Sequence, residues 1–331
     1  MGQAKMPAID ILMAAYNGER YISEQIESIL SQTFTDWRLL IRDDGSTDNT
    51  SAIIEDYAAK YPGKIEIIHD DAVCKNSTKN FFELLKHAEA DYVMFSDQDD
   101  VWLPYKVQIT YDYMKKAERD NPGKPIVVFT GMQAVDSELK SIDVILRLDL
   151  PEYRYTFKEL LAGNCVSGCT QILNRECYEG MGGFQEGITY HDYWASLYAS
   201  AFGTIVRVPM ALMLYRQHGD NVVGGGWAVT KRYYPGGMKR VIRILKNPMF
   251  KVSERLNVVR SIMLEQKLIT SMFRSRFYDR LDSTKKKELD DFCRIFGRNI
   301  LARYSAIRKT YCFREDMESI SRLLWVFLPR P

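Results

Sequence analysis

Apolar residues in the first hundred positions fall into short runs that alternate with stretches of helical periodicity. Ile9-Asp10-Ile11-Leu12-Met13-Ala14 reads as a strand, closed by the bend Asn17-Gly18. From Tyr21 to Leu30 the apolar positions 22, 26, 29 and 30 have the spacing of one helix face. Residues 37–41 form a second strand. Residues 50–60 form a second helix, with Ile53, Ile54, Tyr57 and Ala58 facing inward and Asp48 placed to cap it. A third strand at 65–68, a third helix at 80–88 and a fourth strand from Tyr92 complete the pattern. Four strand–helix alternations predict an α/β fold with a parallel sheet and right-handed crossovers.

The strand ends carry the chemistry. The fourth strand runs into Asp97-Gln98-Asp99-Asp100, and the second into Asp43-Asp44. Three carboxylates in four residues repel one another unless a cation sits among them. Oxygen ligands suit a hard divalent ion, Mg²⁺ or Mn²⁺, with positions left open for phosphates. Ligands of open α/β sheets bind past the carboxyl ends of the strands. An acidic surface turn has the same local composition. The first turn reads Ala15-Tyr16-Asn17-Gly18-Glu19, without Gly-x-Gly-x-x-Gly, and no P-loop lysine motif occurs. Dinucleotide and P-loop chemistry therefore drop out, and a nucleotide bound here needs a metal for its phosphates.

Three motifs in order, Ala15-Tyr16-Asn17, Asp43-Asp44-Gly45-Ser46-Thr47-Asp48 and Ser96-Asp97-Gln98-Asp99-Asp100-Val101-Trp102, resemble glycosyltransferase family 2, the GT-A fold. The resemblance covers roughly residues 7–225. It is closest to bacterial polysaccharide rhamnosyltransferases, on the last motif and on Gly168-Cys169-Thr170-Gln171-Ile172-Leu173-Asn174-Arg175 and Tyr215-Arg216-Gln217-His218-Gly219-Asp220-Asn221-Val222-Val223-Gly224.

The resemblance implies a nucleotide-sugar site. Asp44 would accept from the base of a uridine or thymidine nucleotide, although an aspartate in Asp-Gly-Ser also serves as a turn residue. Tyr16 would bound the base, or be a buried strand-end tyrosine. Asp97 would face the ribose and metal, and Asp99 would ligate the metal. His218 would complete the shell or be structural, and Arg216 would hold a phosphate. Lys79 and Asn80 would meet the nucleotide, with Asn80 equally able to cap its helix. Asp100 would cap a helix or contact the acceptor, and Trp102 would pack. Asp192, opening a helix in Tyr190-His191-Asp192-Tyr193-Trp194, would be the general base or a helix cap. One base and no covalent nucleophile imply inverting transfer, with dTDP-L-rhamnose as donor ahead of UDP-hexoses.

Charge adds a second region. Residues 1–226 hold 21 Lys and Arg against 33 Asp and Glu, and residues 227–331 hold 24 against 10. An acidic GT-A catalytic domain over 1–226 is thus expected to precede a basic helical extension over 227–331, with a Gly224-Gly225-Gly226 lid between them. Helical patterns run over 228–245, 252–277, 285–309 and 317–327. Basic and apolar residues interleave at 238–246, as in interfacial helices, or as on the outer face of a packed appendage. The acceptor is expected to be an oligosaccharide or lipid-linked. No apolar run is long enough for a membrane span, and the N-terminus lacks a signal-peptide core, so a cytoplasmic protein, peripheral at the membrane, is expected. Cys165 and Cys169, the close pair among six cysteines, read as buried thiols. A nucleotidyltransferase would need a basic phosphate-gripping loop near the first strand, where Tyr16-Asn17-Gly18-Glu19 stands. No aromatic RNA-binding motif accompanies the basic tail, so nucleic acid is not an expected partner.

Overall fold

A computed structural model describes residues 6–70, 73–146, 148, 152–218, 252–297 and 303. The chain divides into two compact units, 1–156 with 164–230, and 157–163 with 231–331.

In the first unit the predicted alternation forms: β1 (Ile9–Ala15), α1 (Ile22–Leu30), β2 (Trp37–Asp43), α2 (Thr50–Lys60), β3 (Ile65–Ile67), α3 (Ser77–Leu85) and β4 (Tyr92–Asp97). β3, β2, β1 and β4 lie side by side and parallel. β1 is buried along nearly its whole length, as expected of a parallel strand covered on both faces. Ile22, Ile26 and Ile29 seal one side of it from α1.

Beyond β4 the sheet becomes mixed. β5 (Val101–Trp102), α4 (Lys106–Asp120), β6 (Ile126–Val135), β7 (Ser141–Leu146), α5 (Phe157–Leu160), β8 (Gln171–Asn174), α6 (Arg175–Gly180), α7 (His191–Phe202) and β9 (Thr204–Arg216) follow. β8 runs antiparallel between β4 and β6, β9 runs parallel to β6, and β5 pairs antiparallel with the end of β9. Val101-Trp102, at the end of the acidic motif, is thus a short strand, because Val101 and Trp102 pair with Leu214 and Met213. This short rung ties the acidic loop to the far end of β9.

Two helix starts differ from expectation. α3 begins three residues early because Asn76 caps it, accepting from the Lys79 N–H at 3.0 Å. Asn80 is therefore not the cap: it is buried, and its Oδ1 accepts from Arg42 at 2.9 Å. Asp48 stands one residue before the cap position of α2 and accepts from the Thr50 N–H at 3.0 Å.

In the second unit, α8 (Val252–Phe277) matches the predicted helix, and α9 (Ser283–Gly297) starts two residues before its prediction. Gln266 donates to the Ala162 carbonyl at 2.6 Å, and Phe273 packs on Phe157 at 5.6 Å between centroids. Helices anticipated at 228–245 and 317–327, the end of the one at 285–309, the basic stretch 238–246 and the glycine lid lie outside the described residues. No described helix is long and apolar enough to cross a membrane.

Candidate active site

Parallel register brings three strand ends to one edge. Ala15 stands opposite Asp43, and Ala14 opposite Asp97, so the loops after β1, β2 and β4 open side by side. This is the edge where open α/β sheets take ligands. Hydrogen bonds lace the first two loops together. The Asn17 N–H donates to Ser46 Oγ at 2.8 Å, the Thr47 N–H to Asn17 Oδ1 at 2.8 Å, and the Gly18 N–H to Thr50 Oγ1 at 2.8 Å. Asn17 and Gly45 have φ of 48° and 83°, conformations that Asn and Gly tolerate.

The acids of the β4 loop are strained electrostatically. Ligand atoms of Asp97, Asp100 and Cys169 lie within 4.8 Å of one another. Burial, then the charges of Asp99 and Asp192, push Asp97 up to about 7. Asp100 is wholly buried; its burial, then Asp99 and Asp97, hold it well above the usual carboxylate range. One Asp100 oxygen accepts from the Arg216 N–H at 3.3 Å, and the other, Oδ2, has no hydrogen-bond partner among the described residues. A buried oxygen without a donor, beside a second carboxylate, is costly. Lys106 compensates in part: its Nζ donates to the Cys169 carbonyl at 3.0 Å, and burial pushes this ammonium down to about 8. Asp100 was expected to cap a helix or touch the acceptor. It does neither cap nor reach solvent, because the β5–β9 pairing folds it inward and α4 starts only at Lys106.

Asp99 pairs with His218, Oδ2 to Nε2 at 2.7 Å, and the imidazole packs on Tyr21 at 4.9 Å between centroids. Two ligands each about 2.1 Å from one octahedral ion stand about 3 Å apart, so this spacing suits joint ligation. The orphaned Asp100 oxygen, the mutually raised acids and a carboxylate–imidazole pair together fit a divalent cation.

Arg216 was expected to hold a phosphate, but its guanidinium is spent on the protein. It is 1% exposed. It donates to Glu24 Oε2 at 2.6 Å, the Asp99 carbonyl at 2.8 Å and the Ser137 carbonyl at 2.6 Å, and it lies over the Tyr21 ring at 4.5 Å. It fixes the main chain of the acidic loop.

Asp44 is also buried. Its carboxylate accepts from the Cys74 N–H at 2.6 Å, the Asn76 N–H at 3.3 Å and Arg42 at 3.3 Å, closing the 73–76 loop onto β2. A carboxylate has about four acceptor positions, and these three bonds leave one unused among the described residues. Tyr16 is half exposed at the rim rather than buried. The Lys79 ammonium makes no hydrogen bond or ion pair among the described residues.

Asp192 lies in the first turn of α7, which favours a carboxylate electrostatically. Tyr190, not Asp192, holds the cap position. Asp192 Oδ2 accepts from the Gly168 N–H at 2.9 Å. A Cβ on Gly168 would come 3.1 Å from Asp192 Cβ and 2.8 Å from His191 Nε2, so this close approach needs glycine. His191 turns inward between Phe81 and Phe95, at 4.0 and 4.5 Å, with neither ring nitrogen hydrogen-bonded among the described residues. Burial pushes its imidazole down to about 3, so it packs as a neutral ring.

Sequence reasoning missed the contacts of three residues. Gln98 bonds both backbone groups of Tyr16, Cys169 stands beside Asp97 and Asp100, and Gln25 lies within 2.7–3.1 Å of Ser96 Oγ, the Asp100 carbonyl and Trp102 Nε1. Gln25 had a periodic signal, a polar residue on the buried face of an amphipathic helix.

The family model described as glycosyl transferase family 2 matches residues 10–182. The dTDP-rhamnosyl transferase RfbG of Shigella flexneri is 30% identical over 243 residues, covering 69% of this chain and 79% of that protein. Among solved structures, S. aureus TarS in complex with UDP aligns over 96% of this chain and 88% of that one, with a TM-score of 0.51 at 17% identity. The mannosyltransferase PcManGT of Pyrobaculum calidifontis, in complex with GDP-Man and Mn²⁺, covers 92% of this chain and 74% of that one, with a TM-score of 0.52 at 16% identity. These two likenesses establish the GT-A architecture, and the family match over more than half the chain makes it a member of glycosyl transferase family 2, a glycosyltransferase.

Proposed function

We propose that the chain transfers L-rhamnose from dTDP-L-rhamnose to a hydroxyl of a growing cell-surface polysaccharide, with inversion and with a divalent cation, Mn²⁺ or Mg²⁺. The observation that carries this reading is the convergence of acids: Asp192 accepts from the Gly168 N–H at 2.9 Å, and the ligand atom of the next residue, Cys169, lies within 4.8 Å of those of Asp97 and Asp100. Support for the donor comes from the similarity to a dTDP-rhamnosyl transferase, and support for a nucleotide and cation from neighbours bound to UDP and to GDP-Man with Mn²⁺.

In this reading Tyr16, Asp44 and Lys79 line the nucleotide pocket. Asp97, Asp99 and His218 would hold the cation, which would supply positive charge to offset that building on the departing diphosphate. Asp192 removes the proton of the acceptor hydroxyl as that oxygen attacks the anomeric carbon. Its Gly168 hydrogen bond aims it, and Arg216 positions Asp99 through the main chain. The catalytic domain is assigned to residues 1–226. The helical extension, 227–331, is assigned to a lipid-linked acceptor at the inner face of the membrane, in keeping with its excess of Lys and Arg.

Nucleoside diphosphate release from a panel of dTDP-, UDP- and GDP-sugars, with and without Mn²⁺, tests the reading. Release from dTDP-rhamnose that stops on chelation supports it. Release confined to a UDP-hexose leaves the fold-level function and replaces the donor.

A further inference from the structure

Gln98 separates Asp97 from Asp99, and its side chain reaches the loop of the first strand. The Tyr16 N–H donates to Gln98 Oε1 at 2.9 Å, and Gln98 Nε2 donates to the Tyr16 carbonyl at 2.8 Å. One amide thus satisfies both main-chain groups of Tyr16, as a strand partner would. Gly18 completes the fit. A Cβ there would stand 2.3 Å from Gln98 Oε1 and 2.4 Å from its Cδ, and its three nearest atoms all belong to Gln98. Gly18 does not adopt the left-handed region, so a side chain here would displace the Gln98 amide rather than strain the backbone. On its other side the same loop is held by Ser46 and Thr50. The Tyr16–Gly18 loop is therefore gripped between the second-strand loop and the acidic loop.

The geometry points to Gln98 as a positioning residue: it clamps the rim that carries Tyr16 to the loop that carries Asp97 and Asp99, and so sets the affinity for the nucleotide part of the donor. The inference rests on the nucleotide-site reading of Tyr16 and the acidic loop. It separates two jobs within one motif, the flanking acids acting on charge and the glutamine on shape. Among the described residues both side-chain hydrogen bonds of Gln98 go to the Tyr16 main chain and none to Asp192, so its loss is expected to act on donor binding before the chemical step.

The test is a double-mutant cycle on Gln98→Ala and Gly18→Ala, read by calorimetric binding of dTDP and of UDP in the presence of Mn²⁺, and by donor KM and kcat. Each single variant is expected to bind its nucleotide roughly tenfold more weakly and to raise donor KM, with kcat at saturation within about twofold of wild type, as suits two solvent-accessible hydrogen bonds. In the Gln98→Ala background, Gly18→Ala is expected to cost less than about twofold, because its obstacle is gone. Nucleotide binding unchanged in Gln98→Ala, or an equal Gly18→Ala penalty in both backgrounds, overturns the clamp alone. A wild-type chain that binds neither dTDP nor UDP overturns the nucleotide-site reading and the clamp with it. Thermal melting of each variant separates these outcomes from unfolding, which would lower kcat and binding together.

Discussion

The sheet carries buried acids at both ends, and they are treated in opposite ways. At the amino end of β1, Asp10 is fully buried and fully partnered. It accepts from Arg38 at 3.0 and 3.1 Å and from the Glu89 and Ala90 N–H groups at 2.8 and 3.0 Å. At the carboxyl end, Asp100 keeps one oxygen without a donor, and Asp97 is pushed up to about 7. Both acids lie in strand or strand-end context and look alike as sequence. Satisfaction by partners is what distinguishes an acid that holds the fold from one left open for a ligand.

The comparison breaks most visibly through activity. Asp99→Asn, at nearly constant volume, is expected to cut transfer by on the order of 10³-fold while leaving the fold intact. Circular dichroism and turnover at saturating Mn²⁺ check this, and near-normal turnover would remove Asp99 from the cation site.

Stability provides the next break. Asp10→Ala leaves the Glu89 and Ala90 N–H groups without their acceptor and takes one carboxylate from Arg38, which keeps Glu66, and is expected to cost about 3 kcal/mol, with activity per folded molecule retained. Asp100→Asn changes a buried carboxyl group whose Oδ2 lacks a donor, so the metal-free protein is expected to keep or raise its melting temperature. Chemical denaturation of both variants decides it: two losses of similar size would mean that the two ends of the sheet do not differ as described.

The legible part of the molecule was the local part. Strand–helix alternation through β4, and the placing of Asp43-Asp44 and Asp97-Asp99-Asp100 at strand ends, followed from periodicity because each element buries its own apolar face. The second half resisted, since Val101-Trp102 becomes a strand only when β9, more than a hundred residues later, arrives beside it. Arg216 misled for the same reason. An arginine next to a predicted histidine ligand suits a phosphate, yet α1 and the Ser137 carbonyl fill its donors. Gln98 and Cys169 lie inside family-like motifs, but nothing in those motifs shows what their side chains meet, and their roles exist only through contacts across the chain.

A smaller effect sharpens the contrast between His191 and Asp192, neighbours with opposite surroundings. His191 has a folded pKa of about 3, below the unfolded value of about 6.5. Between those values the unfolded chain binds a proton that the native chain does not, so stability falls as pH falls, by up to about 1.4 kcal/mol per pH unit. His191→Leu is expected to flatten that slope in urea titrations between pH 6.5 and 4. An unchanged slope would mean that the ring takes up its proton in the folded chain.

The central claim is that donor-side and acceptor-side acids work separately in one cleft, and Asp192→Asn tests it most directly. The amide keeps size and hydrogen-bonding capacity but cannot accept the hydroxyl proton. The account predicts unchanged binding of dTDP with Mn²⁺, and sugar transfer lowered by roughly 10²–10⁴-fold in the same preparation. Normal dTDP binding together with undiminished transfer would contradict it.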